Sequence, residues 1–282
     1  MLPADFDAWL LDPNRRPLLM GVLNVTPDSF SDGGQFDAAH AAVQHARAMI
    51  AAGANLIDIG GESTKPGAVR VPADEQIARI APVLDACRDL ATTFSIDTTL
   101  AAVAAAALDR GVSVVNDVSA GCDDPAMLPL VAARQCPVIL MHMLGQPATM
   151  QDDPHYDDVV AEVRGFLAER AAAFEAAGVA LHRVLVDPGI GFGKTLEHNL
   201  DLLNATDRIA VDGRPVCVGV SRKGFIGRLT GKTAPADRVF GTAAAVSAAI
   251  LRGASIVRVH DVSEMKDVVA VAAALRDRQV DA

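Results

Sequence analysis

The sequence predicts an α/β fold, specifically a (β/α)8 barrel, and three observations carry that expectation. Eight short runs rich in β-branched or otherwise apolar residues recur along the 282 residues, as strands buried on both faces require. Between them lie alanine-rich amphipathic stretches, with glycine near the end where a helix C-cap wants a positive φ. Hydrophobic residues make up 51% of the chain and aromatics only 4%, so the core must be filled by Ala, Val, Leu and Ile, which suits a parallel sheet covered by helices.

The elements follow in order. The leader from Met1 to Pro17 is expected to run over the closed bottom of the barrel. Strands are expected in LLMGVLNV from Leu18, LIDIGG from Leu56, TFSIDTT from Thr93, VSVVNDVS from Val112, VILMHM from Val138, RVLVDPGIG from Arg183, PVCVGVSR from Pro215 and SIVRVHDV from Ser255. Helices fill the intervals, among them AAHAAVQHARAMIAAGA, AAVAAAALDRG and RVFGTAAAVSAAILRGA. Asp37 ahead of the first of these, and Asp261 three residues before Glu264, have capping-box character. DPHYDDV near Asp153 reads as a polar connection into the long helix up to Ala177. Eight strands alternating with about eight helices close into one barrel, so residues 1–282 are expected to form a single domain.

A formal net charge of −10 without any run of Lys or Arg argues against nucleic acid as a partner. Anionic small molecules remain admissible, because a few converging cations such as Lys223 and Arg258 can make a positive pocket on an acidic protein. Cys87, Cys122, Cys136 and Cys217 show neither CxxC pairing nor clustering with histidine and are expected to be buried, reduced thiols. The N-terminus lacks the basic start and apolar run of a signal peptide, and no stretch approaches membrane-spanning length, so a cytoplasmic protein is expected.

Each expected strand ends in polar groups that an apolar core would not tolerate without a reason. In order they are Asn24, Asp58 with Glu62, Asp97, Asn116 with Asp117, His142, Asp187, Ser221 with Arg222 and Lys223, then Arg258 and His260. All fall at strand C-terminal ends, the face on which barrels keep their sites. Singly, any of them could cap a helix or satisfy a loop N–H. Jointly, the acceptors at Asp97, Asn116 and Asp187 suit a flat heterocycle presenting N–H donors, to which Lys223 can donate in turn. Arg258 and His260 alternate along the last strand, point to one side and fit an anionic tail near strands seven and eight. The segments NVTPDSFSDGGQFD and GGESTKPGAVRVPADE are long for strand-to-helix turns and read as lids or binding loops, with Phe30, Phe36 and Thr64 placed to contact a ligand. DPGIGFGKT is not a P-loop, since position 188, where the first glycine belongs, is Pro188.

The motifs LNVTPDSFSDGG, DIGGESTKPGA, SIDTT, NDVS, DPGIGFGKT, GVSRKGFIG and RVHDV together resemble those of the bacterial dihydropteroate synthases, from Leu18 to Val271. That resemblance implies a TIM barrel, usually homodimeric, acting on 6-hydroxymethyl-7,8-dihydropterin pyrophosphate and p-aminobenzoate, and a target for sulfonamides. It implies pterin and diphosphate contacts at Thr64, Asp97, Asn116, Asp187, Lys223, Arg258, Val259 and His260. It further implies a p-aminobenzoate pocket at Phe30, Pro66, Phe192, Ser221 and Lys223, and Asn24 as the residue that meets Mg2+. One departure stands out: the second loop reads STKPG where the family has STRPG, and Lys65 cannot make a bidentate fork. Two other readings are a methyltetrahydrofolate-dependent methyltransferase, which gives no reason for the two long loops or SRKGF, and a non-catalytic pterin-binding paralogue, against which Asn24, Thr64 and Lys223 speak.

Overall fold

The computed structural model describes residues 1–26, 35–65 and 67–280. Helix α1 (Pro3–Leu11) precedes β1 (Leu18–Asn24) and α2 (Gln35–Ala52). Then β2 (Leu56–Gly60) leads to α3 (Ala73–Cys87), β3 (Thr93–Asp97) to α4 (Ala101–Leu108), β4 (Val114–Asp117) to α5 (Met127–Arg134) and β5 (Val138–Met141) to α6 (Val159–Ala176). After β6 (Val184–Asp187) come α7 (Leu196–Asn204) and the single turn α8 (Thr206–Ile209). After β7 (Cys217–Gly219) come α9 (Gly224–Thr230) and α10 (Val239–Leu251), and β8 (Ile256–Val259) runs into α11 (Val262–Val280). The strands pair in parallel in the order β6-β5-β4-β3-β2-β1-β8-β7, and a bridge between Val186 and Val216 brings the two edges together.

The two-residue side-chain period of a strand sorts each strand into an inner and an outer row. Outer residues such as Leu19, Ile57, Ile96, Leu140, Val186, Val218 and Val259 pack into the layer between barrel and helices. The lowest inner layer is apolar: Leu18, Met20, Leu56, Val114, Ile139, Leu185, Cys217 and Ile256. Phe6, Trp9 and Leu10 of α1 join this layer, so the leader is a helix that plugs the bottom of the barrel. Trp9 is pinned by its Nε1–H to the Arg16 carbonyl at 2.8 Å and by the stacked ring of Phe6 at 5.4 Å.

Two residues further along each strand the interior changes character. Leu56 gives way to Asp58, Val114 to Asn116, Leu185 to Asp187 and Ile256 to Arg258, while Thr93 is followed by Ser95 and then Asp97. The barrel is therefore an oil-filled cup with a charged rim, which is what positions the site.

Three local expectations are corrected. Helix α2 begins at Gln35, so Asp37 lies inside it rather than ahead of it. Asp261 stands just before α11, but its carboxylate is taken by the Arg222 guanidinium. The caps with side-chain oxygens lie elsewhere: Asp158 accepts from the N–H groups of Val160 and Ala161, and Thr195 from that of His198. Finally, Cys87, Cys136 and Cys217 are buried thiols, but Cys122 is exposed, because the β4–α5 turn carries it to the surface.

Candidate active site

The charged rim opens into a cleft of about 340 Å3 lined by Thr64, Asp97, Asn116, Val118, Met141, Asp187, Gly189, Ile190, Phe192, Gly219, Lys223 and Arg258. Its centre is an ion-pair network across four strands. Arg258 donates Nε to Asp58 Oδ2 at 2.6 Å and Nη2 to Asp97 Oδ2 at 2.8 Å. Asp58 also accepts from Ser95 Oγ at 2.5 Å and from Asn116 Nδ2 at 3.1 Å. Gly219, the register partner of Arg258, lines the same cleft. Burial alone would lower the Arg258 pKa, but Asp58 and Asp97 reverse this and hold it above its usual value.

Asp97 is the exception in an otherwise satisfied network. Its Oδ2 is held by Arg258, whereas Oδ1 is buried with no hydrogen-bond partner among the described residues. Burial pushes its carboxyl up to about 7, with Arg258 opposing and the nearby Asp58 adding to the rise. Burial likewise raises Asp187, although its Oδ1 accepts from the Gly189 N–H at 2.7 Å and Lys223 acts against the rise. Asp187 is 6% exposed, so it is a buried wall of the cleft and not a solvated group. Burial lowers Lys223 to about 8, against the pull of Asp187, and its Nζ stands 4.1 Å above the Phe192 ring centroid.

The β6–α7 loop that carries Ile190 and Phe192 is fixed from behind by two residues whose role no spacing in the sequence shows. Lys194 is buried and reaches His142 Nδ1 at 3.0 Å and the Phe192 carbonyl at 2.9 Å. Burial and the Lys194 charge push His142 down to about 3, so its neutral ring accepts from the lysine. His142 is thus a support of the wall and does not line the cleft. At Gly189 φ is +67°, and a Cβ there would stand 1.8 Å from the His142 carbonyl oxygen. Gly189→Ala is therefore expected to destabilise the fold by more than about 1 kcal/mol and to weaken ligand binding through the displaced Asp187 partner, as urea titration and calorimetry would show.

At the β7–β8 corner, Ser221 Oγ accepts from the His260 N–H at 3.1 Å and lies 3.1 Å from its Nδ1. Burial and the charges of Arg258 and Arg222 push His260 down to about 4, with Lys65 acting in the same direction. His260 is neutral at pH 7, and the cationic charge of this corner comes from its neighbours. Arg258 itself turns inward to the acids. The side chain of Val259 packs outward against the helices, so only its backbone is available to a ligand. Phe30 and Pro66 lie outside the described residues.

Two polar strand-end groups prove structural. Asp117 accepts from Ser119 and Gly121 and shapes the turn after β4. Glu62 closes the neck of the second loop, accepting from the Val71 N–H at 2.7 Å and from Gln76 Nε2 at 3.3 Å. Arg70, which sequence reasoning passed over, straps the same loop to Thr99 at 2.9 Å and to Asp123.

Asn24 is half-buried at the end of β1, and its Oδ1 would lie 3.7 Å from a Cβ on Gly60, on the side of Asp97. No group of three or more His, Cys, Asp or Glu side chains that could hold a metal ion occurs among the described residues. A lone amide oxygen fits a hard cation such as Mg2+, which keeps several waters and is held chiefly by substrate phosphates.

Comparison with known proteins gives a consistent answer. Residues 20–260 match the family described as pterin binding enzyme. The dihydropteroate synthase of Synechocystis is 44% identical over 274 residues, 97% of this chain and 95% of that one. The Xanthomonas albilineans dihydropteroate synthase solved with 4-aminobenzoic acid superposes with a TM-score of 0.87 at 46% identity, covering 93% of this chain and 94% of that one. The Burkholderia cenocepacia enzyme complexed with 7,8-dihydropteroate gives a TM-score of 0.85 at 44% identity, covering 95% and 94%. The chain belongs to the pterin binding enzyme family, among its dihydropteroate synthases.

Proposed function

We propose that this chain condenses 6-hydroxymethyl-7,8-dihydropterin pyrophosphate with p-aminobenzoate, giving 7,8-dihydropteroate and pyrophosphate. The observation that carries the reading is the buried, unpartnered Oδ1 of Asp97, set in a cleft with Asn116, Asp187 and Lys223. An acceptor held out of water without a donor is costly unless a ligand supplies one. The 2-amino and ring N–H edge of a pterin does so, and Val118, Met141, Ile190 and Phe192 give its flat faces apolar walls. Neither a methyltransferase nor a non-catalytic paralogue is favoured by any feature of the cleft.

In the reaction the C–O bond between the pterin methylene and the diphosphate breaks, and the electron pair leaves with pyrophosphate. The dihydropterin ring stabilises the resulting cation. The arylamine lone pair then forms the C–N bond, and the ammonium proton passes to water or pyrophosphate, so no strong base is required. Asp97, Asn116 and Asp187 hold the ring, and Lys223 donates to it. Ser221, Phe192 and Lys223, with Phe30 and Pro66 of the two loops, receive p-aminobenzoate and exclude water. Thr64, Lys65 and His260, with the Val259 backbone, are left for the diphosphate end, while Arg258 stays turned to Asp58 and Asp97 and holds the acids of the pterin cleft. A Mg2+ ion, held through the diphosphate and Asn24, would supply charge neutralisation for the leaving group.

Incubating the protein with both substrates and Mg2+, with mass detection of dihydropteroate, tests the reading; absence of product from folded protein overturns it. Asn24→Ala is expected to lower turnover and weaken the Mg2+ dependence, and wild-type rates across a Mg2+ titration would remove Asn24 from the metal. A homodimer, a single-domain organisation and a cytoplasmic location belong to the same reading. No helix among the described residues is long and apolar enough to cross a membrane. Exposed Phe240, Val271 and Leu275 on α10 and α11 supply apolar surface for a second copy.

A further inference from the structure

We infer that Arg222 is a positioning residue: gripped by Asp261, it fixes the turn that aims Ser221 and Lys223 at the arylamine. The inference rests on the transfer reaction proposed above. Between β7 and α9 the chain reverses within Val220–Lys223, where the Lys223 N–H donates to the Val220 carbonyl at 3.3 Å. Arg222 occupies the third position of this turn with φ at 59°. That left-handed conformation suits Gly or Asn, and a side chain with a Cβ pays for it in strain. Something must therefore hold an arginine there.

Contacts from two segments, the start of α10 and the β8–α11 junction, do so. The Arg222 N–H donates to Thr242 Oγ1 of α10 at 3.0 Å. Its carbonyl accepts from Arg238 Nη1 at 2.8 Å. Its guanidinium forks onto Asp261, Nε to Oδ2 at 3.0 Å and Nη2 to Oδ1. This two-point grip uses the planar geometry that only arginine offers. Ser221 and Lys223, on either side of it, engage His260 and Phe192. Asp261 directly follows His260, so the ion pair ties the end of β7 to the end of β8 at the corner where amine and leaving group meet. None of these contacts reaches Asp97, Asn116 or Asp187. Of the groups that hold the pterin only Lys223 stands in this turn, whereas the arylamine takes both Ser221 and Lys223 from it, so loosening the grip should disturb the second substrate more than the pterin.

The test compares wild type with Arg222→Ala, Arg222→Gly and Asp261→Asn by steady-state kinetics, calorimetric pterin binding and thermal melting. Alanine removes the grip but keeps the strain, whereas glycine removes both, so Arg222→Gly should melt above Arg222→Ala. Despite that difference, all three variants should raise the KM for p-aminobenzoate by roughly ten- to a hundredfold, while the pterin, which keeps Asp97, Asn116 and Asp187 and loses at most its Lys223 contact, weakens by less, no more than about tenfold. Lower melting temperatures with an unchanged KM would show a merely structural ion pair and overturn the inference. Equal losses for pterin and arylamine would do so too, since the whole rim would then have loosened. A wild-type protein that forms no dihydropteroate would instead strike the reaction itself.

Discussion

Asp187→Asn is expected to weaken pterin binding by about ten- to a hundredfold, because charge-assisted hydrogen bonds contribute roughly 1.5–3 kcal/mol and the new amide turns one acceptor into a donor facing a donor. One carboxylate oxygen is already committed to the Gly189 N–H, which anchors the residue, and the substitution keeps its shape. The loss also reaches Lys223. Burial lowers that lysine to about 8 and Asp187 is the first charge that opposes the fall, so without Asp187 its pKa drops further. The alkaline limb of pterin binding should accordingly move to lower pH in the variant. Calorimetric titration of a dihydropterin at several pH values checks both effects, and equal affinities in two equally folded proteins would remove Asp187 from the pterin site.

Arg258→Leu is expected to cost about 3–5 kcal/mol of stability at pH 8, the usual consequence of stripping a buried ion-pair network of its cation. Asp58 is 0% exposed and Asp97 5% exposed, so neither can recover its hydration. The pH dependence follows from the sign of the shift. The wild-type Asp97 carboxyl sits at about 7, above its unfolded value near 4, so it contributes stability at low pH that is lost as pH rises through the folded value. Removing Arg258, which opposes the shift, moves that pKa higher still. Variant and wild type should therefore lose stability in parallel up to about pH 7 and diverge above it. Urea denaturation across this range checks the effect; a variant as stable as wild type at pH 8 would show that Arg258 does not hold the two acids.

Much of this was legible because strand ends in a barrel leave few choices. Asp97, Asn116, Asp187 and Arg258 stand where alternation points into the barrel, two residues or more above an apolar layer, and the cleft gathers them with Lys223. The same alternation sends the Val259 side chain outward, which leaves its backbone for the contact that family resemblance implies. Lys194 and Asp58 were not legible as supports, since their partners His142, Ser95 and Arg258 come from other strands and no spacing encodes such contacts. Met141, Val118 and Ile190 read as ordinary core by pattern, and only their place around the cleft marks them as ligand-facing. The turn at Arg222 defeats sequence reading for another reason: an arginine in a left-handed position is held by tertiary contacts that override the local preference.

The central claim is that the unpartnered Asp97 oxygen awaits the N–H edge of a pterin. Titrating a dihydropterin into the protein at pH 6 in two buffers of different ionisation enthalpy tests it most directly. Apo Asp97 is largely protonated there, its carboxyl lying at about 7, and must ionise to accept from the ring. The predicted result is saturable one-to-one binding with net release of a proton, the release fading toward pH 9. Folded protein that shows no saturable binding, or binds with no proton release at pH 6, would contradict the account.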